Sequence, residues 1–161
     1  MMRPALRELS PGDRDRLTAL LGDRWGSTRM VSRGRIWEIP EMSGFIVEDA
    51  EGWLSYGTYR IDGDSCELVI LDSLREGSGG GSAILEAVAS VARSAGCRRL
   101  WLVTTNDNVH ALRFYQRRGF VLIAVHRDAV TQARRTLKPE IGMVGESGIP
   151  IRDELELELE L

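Results

Sequence analysis

Two hydrophobic periods alternate along the chain, and the places where one gives way to the other outline its elements. Arg3 to Leu9 reads as a short first strand. Ser10-Pro11-Gly12-Asp13 then carries the marks of a helix start: a capping residue, an early proline and an acid in the first turn. Leu17, Leu20 and Leu21 give that helix an apolar stripe through about Leu21. From Gly22 to Ser43 no period holds, and Trp25, Met30, Trp37 and Met42 are scattered among glycines and arginines.

Phe45-Ile46-Val47 and Trp53 to Ile61 predict two strands joined by the turn-forming Glu48 to Gly52. Asp62-Gly63 supplies a hairpin signal before a third strand, Cys66 to Leu71, which completes an antiparallel meander. The period then lengthens from 2 to 3.6: Ile84, Leu85, Val88, Val91, Ala92 and Ala95 share one helix face, and Gly96 ends it. Arg99 to Thr105 is β-branched and aromatic, hence a strand. After the turn Asn106-Asp107-Asn108 a helix runs to about Arg118 and stops at Gly119. Phe120 to Val125 is the next strand, Ala129 to Thr136 a short helix broken by Lys138-Pro139, and Ile149 to Leu161 a last strand alternating Leu with Glu. This order predicts an α+β fold, α/β by looser usage, with helices packed on a mixed sheet.

At 161 residues, with 43% hydrophobic and 28% charged positions, the chain is expected to form one domain spanning 1-161. Its net charge of -3 is concentrated in Asp153, Glu154, Glu156, Glu158 and Glu160, so the remaining body is mildly basic. No strongly basic face argues for nucleic acid as a partner. Cys66 and Cys97 stand apart with no Cys/His cluster, which points to reduced thiols and to no metal site. No signal-peptide core and no run of about 18 apolar residues occurs, so a cytoplasmic protein without a membrane partner is expected.

The most informative segment runs from Leu71 through Glu76-Gly77-Ser78-Gly79-Gly80-Gly81-Ser82 into the long helix. Glycines admit a close ligand, and the first amides of a helix present unpaired donors and a partial positive charge, so this is a phosphate-binding pattern. Spacing decides among the phosphate ligands. A dinucleotide fingerprint begun at Gly77 meets Ser82 at its third glycine position. A P-loop lacks its lysine, and no Gly-x-Ser-x-Gly elbow is present.

Here the sequence resembles the GNAT family of acetyl-CoA-dependent N-acetyltransferases. The family's Arg/Gln-x-x-Gly-x-Gly/Ala loop is matched by Glu76 to Gly81, with Gly79 and Gly81 in place and Glu76 outside the pattern. About 27 residues on, Asn108-Val109-His110-Ala111-Leu112-Arg113-Phe114-Tyr115-Gln116-Arg117-Arg118-Gly119-Phe120 is similar to its Asn-x-x-Ala-x-x-Phe-Tyr-x-x-x-Gly-Phe. The resemblance covers Phe45 to Val125 well and Arg3 to Leu21 loosely.

What the resemblance implies is a mostly antiparallel central sheet flanked by helices, with the fourth and fifth strands splayed. Acetyl-CoA would lie with its pantetheine arm along Leu71, Asp72 and Ser73 and its diphosphate on the loop Glu76, Gly77, Ser78, Gly79, Gly80, Gly81 and Ser82. Asn108 would contact the pantetheine amide, cap its helix, or do both, and Phe114 would add a cofactor contact. Tyr115 aligns with the tyrosine that protonates the departing thiolate, and Glu67 with the position of a general base acting directly or through water. Asp72, or no side-chain base at all, are the alternatives. The expected reaction is direct attack of a primary amine on the thioester, with no metal. A non-catalytic CoA-binding or regulatory module of the same fold is the rival reading.

Other residues keep two readings. Arg113, Arg117 and Arg118 suit either the cofactor's nucleotide phosphate or the helix C-terminus. Trp25, Met30, Trp37 and Met42 would line an acceptor pocket or fill the core. His110 and His126 read as surface histidines. The Leu/Glu tail reads as a strand with a solvated acidic face, with an acidic rim that attracts a cationic acceptor, or strand exchange and hence a homodimer, as the alternatives.

Overall fold

In the computed structural model, which describes residues 3–161, the expected α+β class is observed: sheet strands flanked by helices. In chain order the elements are β1 (Ala5–Glu8), α1 (Arg14–Trp25), β2 (Arg29–Ser32), β3 (Arg35–Glu38), β4 (Ser43–Asp49), β5 (Gly52–Asp62), β6 (Ser65–Ser73), α2 (Gly80–Ser94), β7 (Arg99–Thr105), α3 (Val109–Gln116), β8 (Val121–His126), α4 (Ala129–Thr136) and β9 (Glu154–Glu160). Short 3-10 turns precede α1, β4 and β9. The residues gather into two units. The first comprises the chain up to Met30, Glu38–Leu100 and Leu161, and the second Val31–Trp37 and Trp101–Glu160.

The first unit is built on strands in the order β1-β4-β5-β6, each antiparallel to its neighbour. Its meander matches the alternation, but two bulges alter which residues share a face. Val47 pairs with Ser55 while Glu48 pairs with Trp53, leaving Leu54 as an extra residue in β5. Thr58 pairs with Ile70 while Tyr59 pairs with Leu68, leaving Val69 extra in β6. Directly opposed residues share a sheet face. Trp53, Tyr56, Thr58, Arg60, Glu67, Ile70 and Asp72 therefore lie on one face, and Ser55, Gly57, Leu71 and Ser73 on the other.

Each face meets its own helix. On the first, the guanidinium of Arg16 in α1 stacks 4.7 Å from the Trp53 ring, and Leu17 and Leu21 are buried. On the second, α2 comes so close that a Cβ at Gly57 would stand 2.9 Å from Ile84 Cγ2. The apolar face of α2 is the one its 3.6 period predicts, with Ile84, Leu85, Val88 and Ala92 buried. Cys66 and Cys97 are buried free thiols, and burial pushes Cys66 up to about 12.

The stretch from Gly22 to Ser43 resolves into the end of α1 and the hairpin β2–β3, whose turn residues Arg33 and Gly34 both have positive φ. Such a turn matches the twist of a two-residue hairpin.

In the second unit the strand order is β7-β9-β8. Leu155 and Leu157 of β9 are buried beside Val125 and Leu122 of β8, as the alternation predicts. The opposite, acidic face is solvated only towards its end, where Glu160 is exposed, which corrects the expectation for its first residues. Glu154 is 5% exposed and receives Arg33 at 2.8 Å, and Glu156 bonds His126 at 2.9 Å. A buried carboxylate persists only with such partners. β9 also begins later than expected, at Glu154, because the segment before it is tied to the turn after β7. The amide oxygen of Asn106 accepts from the backbone of Arg152 and Asp153 at 2.9 Å each.

Candidate active site

On β6 the bulge at Val69 decides the chemistry. In a regular strand Glu67 and Asp72 would point to opposite faces, since their numbers differ by an odd count. With one extra residue between them they share the α1 face, and both are buried, at 3% and 7% exposure. Glu67 faces Arg60 across the strands, with a carboxylate oxygen 4.0 Å from the guanidinium. It is thus a buried, paired carboxylate rather than a solvated one.

Asp72 is engaged through both oxygens. Arg24 Nε and Nη2 donate to them at 2.5 and 2.7 Å, and the Tyr56 hydroxyl donates at 3.0 Å. The Trp25 indole N–H in turn donates to the Tyr56 oxygen at 3.4 Å. Burial, and then the Asp72 charge, push the Tyr56 hydroxyl above the usual phenol range, while the bond to Asp72 raises Arg24 further. Arg24 and Tyr56 escape a sequence reading: one is an arginine in a polar helix turn, the other an aromatic in a strand. Trp25 is exposed, and Met42 accepts a hydrogen bond from Thr58, so only one of these two packs inward.

Leu71 and Ser73 lie on the α2 face, where the Ser73 hydroxyl meets that of Ser55 at 3.2 Å. The chain then turns back, the amides of Leu74 and Arg75 both donating to the Leu54 carbonyl. Arg75 is held by Asp49 at 2.8 Å and Glu51 at 3.2 Å. Glu76, Gly77, Ser78 and Gly79 are exposed, and α2 starts at Gly80, inside the glycine run.

The loop glycines have separable roles. Gly77 and Gly79 adopt φ of +75° and +80°, and a Cβ at either would meet no atom within 4 Å. Their backbone is therefore left-handed and open on its outer side. Gly80 faces inward, where a Cβ would stand 2.5 Å from Ser55 Oγ. Its amide donates to the Ser78 hydroxyl oxygen at 3.3 Å, and the first turn of α2 contains no acid. An open run of backbone at a helix N-terminus with no competing carboxylate in the first turn fits an anionic diphosphate.

In the second unit, Asn108 caps α3 by accepting the Ala111 amide at 3.1 Å. Tyr115 is the buried residue of that helix, edge-on to Phe114 and Phe120 with centroids 5.1 and 5.4 Å away. Burial pushes its hydroxyl above the usual phenol range, so it holds its proton at neutral pH. Phe114 is half-buried, and the Arg118 guanidinium stacks 3.7 Å over its ring. His110, Arg113, Phe114, Arg117 and Arg118 line a cationic groove of about 500 Å³. Among the described residues, no three His, Cys, Asp or Glu side chains are grouped to hold a metal, and no helix is long and apolar enough to cross a membrane.

Comparison with known proteins places these features in context. The model of the acetyltransferase (GNAT) family matches residues 14–120. The uncharacterized protein YdhI of Bacillus subtilis (strain 168) is 45% identical over 140 residues, 86% of this chain and 87% of its own. Among solved structures, an IAA acetyltransferase from Bacillus cereus ATCC 14579 superposes with a TM-score of 0.73 at 18% identity, over 98% of this chain and 99% of that one. A GNAT family acetyltransferase from Elizabethkingia anophelis with acetyl-CoA bound gives 0.71 at 16% identity, over 100% of both chains.

Proposed function

Because the chain belongs to the acetyltransferase (GNAT) family, we propose that it transfers the acetyl group of acetyl-CoA to a primary amine by direct attack, within one catalytic domain. The observation that carries this reading is the loop backbone at Gly77 and Gly79, left-handed and open on its outer side at the entry to α2. The Elizabethkingia anophelis relative with acetyl-CoA bound supports the choice of cosubstrate. When bound, acetyl-CoA supplies an activated thioester, whose acyl carbon bonds to the amine nitrogen as its sulfur leaves.

The loop from Glu76 to Ser82 holds the diphosphate through main-chain amides, and the main chain of Leu71, Asp72 and Ser73 takes the pantetheine arm. Asn108 adds a contact beyond its capping role, and the cationic groove around Phe114 receives the nucleotide phosphate. Glu67 removes the ammonium proton, directly or through a water. Tyr115, kept protonated by burial, gives its proton to the departing thiolate. The site is assigned no metal.

Thiol release from acetyl-CoA, followed across a panel of primary amines, tests the proposal. Turnover is expected with at least one amine class, whereas saturable binding without thiol release from any amine would identify a CoA-binding module instead. Within that assay Glu67→Gln should lower kcat/KM for the amine about 10- to 100-fold at neutral pH. The deficit should shrink as pH rises, because the amine then arrives deprotonated. A variant as active as wild type at pH 7 would remove Glu67 from the base role.

A further inference from the structure

Asp72 is the middle residue of the segment assigned to the thioester arm, and its side chain is held from two elements at once. Tyr56, fully buried, stands directly opposite it on β5 and donates at 3.0 Å. Arg24 reaches it from the last turn of α1 with two nitrogens, at 2.5 and 2.7 Å, while keeping its own side chain 39% exposed. The residues that follow are tied to the same stretch of β5: Ser73 to Ser55 through their hydroxyls, Leu74 and Arg75 to the Leu54 carbonyl. The open glycine loop starts at Gly77, immediately beyond these ties.

An ion pair with a buried Asp72 and an Arg24 still 39% exposed adds little net stability, because the carboxylate must leave water while the guanidinium remains screened by it. What it does supply is direction. A planar guanidinium bonded side-on through two nitrogens fixes the carboxylate in plane and rotation, which a point charge cannot do. Here the fixed carboxylate belongs to a residue whose own peptide groups are assigned to the cosubstrate. We propose that Arg24 is a positioning residue: acting through Asp72, it clamps the end of β6 so that the main-chain groups of Leu71 to Ser73 are pre-set for the thioester arm. This inference rests on the acetyl-CoA reading above. Pre-setting acts on kcat/KM for acetyl-CoA and not on the amine's KM, because the amine is not bound by the β6 main chain.

A double-mutant cycle in the full chain tests it, with kcat and KM measured for both substrates in wild type, Arg24→Gln, Asp72→Asn and the double variant. Each single change is expected to lower kcat/KM for acetyl-CoA about tenfold, and the double variant to fall no further than the worse single one. That is a coupling of about 1.4 kcal/mol. Arg24→Lys, which keeps the charge but loses the two-nitrogen contact, should recover only part of the loss. Arg24→Gln strands a buried carboxylate, so it is the variant most at risk of misfolding. If it does misfold, Arg24→Lys takes its place in the cycle: a loss from Arg24→Lys that vanishes in the Asp72→Asn background supports the clamp, and no loss from Arg24→Lys overturns it. Singles that match wild type, losses that multiply in the double variant, or losses confined to the amine's KM would each overturn the clamp. A wild type with no acetyl-CoA turnover would overturn the functional reading and the clamp together, so the two failures are told apart by the wild type alone.

Discussion

Gly79→Val is expected to raise the Kd for acetyl-CoA about 100-fold or more while the protein stays folded. The reason lies in the two sides of the loop. A Cβ at Gly79 would touch nothing within 4 Å, so valine meets no clash inside the protein. It does meet a backbone at φ +80°, where a β-branched residue costs about 1–2 kcal/mol. That strain should lower Tm by about 2 to 8 °C. Binding suffers more, because the new side chain stands on the open side where the diphosphate is proposed to lie, and because relief of the strain reorients the amides. Titration calorimetry alongside thermal melting separates the two effects. Gly80→Val is the control with the opposite pattern: its Cβ would run into Ser55 Oγ at 2.5 Å, so its cost falls first on folding. Equal acetyl-CoA affinity in wild type and Gly79→Val would remove the loop backbone from the binding site.

Tyr115→Phe should lower kcat about 100-fold or more and leave the Kd for acetyl-CoA within about twofold of wild type. The change removes one oxygen from a ring that is already packed edge-on between Phe114 and Phe120, so the packing survives. What would be lost is the proton that Tyr115 is proposed to offer to the leaving sulfur. Because burial holds the Tyr115 hydroxyl above the usual phenol range, its proton stays available through neutral and mildly alkaline pH. The wild-type rate should accordingly show no alkaline fall below about pH 10, the ordinary phenol value. Thiol release from acetyl-CoA under saturating amine gives kcat directly, and an unchanged kcat in the phenylalanine variant would exclude Tyr115 as the acid.

The features legible in the sequence are those encoded by neighbours in the chain. The glycine run feeding a 3.6-period helix, the Asn108 cap and the β5 strand set between two turn signals each follow from local stereochemistry, and the structure contains all three. The bulge at Val69 is different. No residue there marks a break in the strand, yet that one insertion brings Glu67 and Asp72 to a common face where simple alternation would part them. Arg24 is equally silent, since its partner lies 48 residues away and nothing in a polar helix turn distinguishes a clamp from a solvated arginine.

The hairpin β2–β3 is hidden for a related reason. Its strands are only four residues each and only partly buried, and its turn places Arg33 at φ +48°, a conformation associated with Gly, Asn or Asp. The same Arg33 covers Glu154, so the first acid of β9 is buried through a contact separated by 121 residues. Alternation identified the strand correctly; the environment of its acids is a tertiary property that alternation does not contain.

The central claim is that the backbone between Gly77 and Ser82 grips the diphosphate of acetyl-CoA. Its most direct test is calorimetric titration of the full chain with acetyl-CoA and, separately, with acetyl-pantetheine, which keeps the thioester arm but has no diphosphate. Saturable one-to-one binding of acetyl-CoA is expected, with a Kd between about 1 µM and 1 mM, and affinity for acetyl-pantetheine weaker by about 100-fold or more. Equal affinity for the two compounds, or no heat with acetyl-CoA, would contradict that claim.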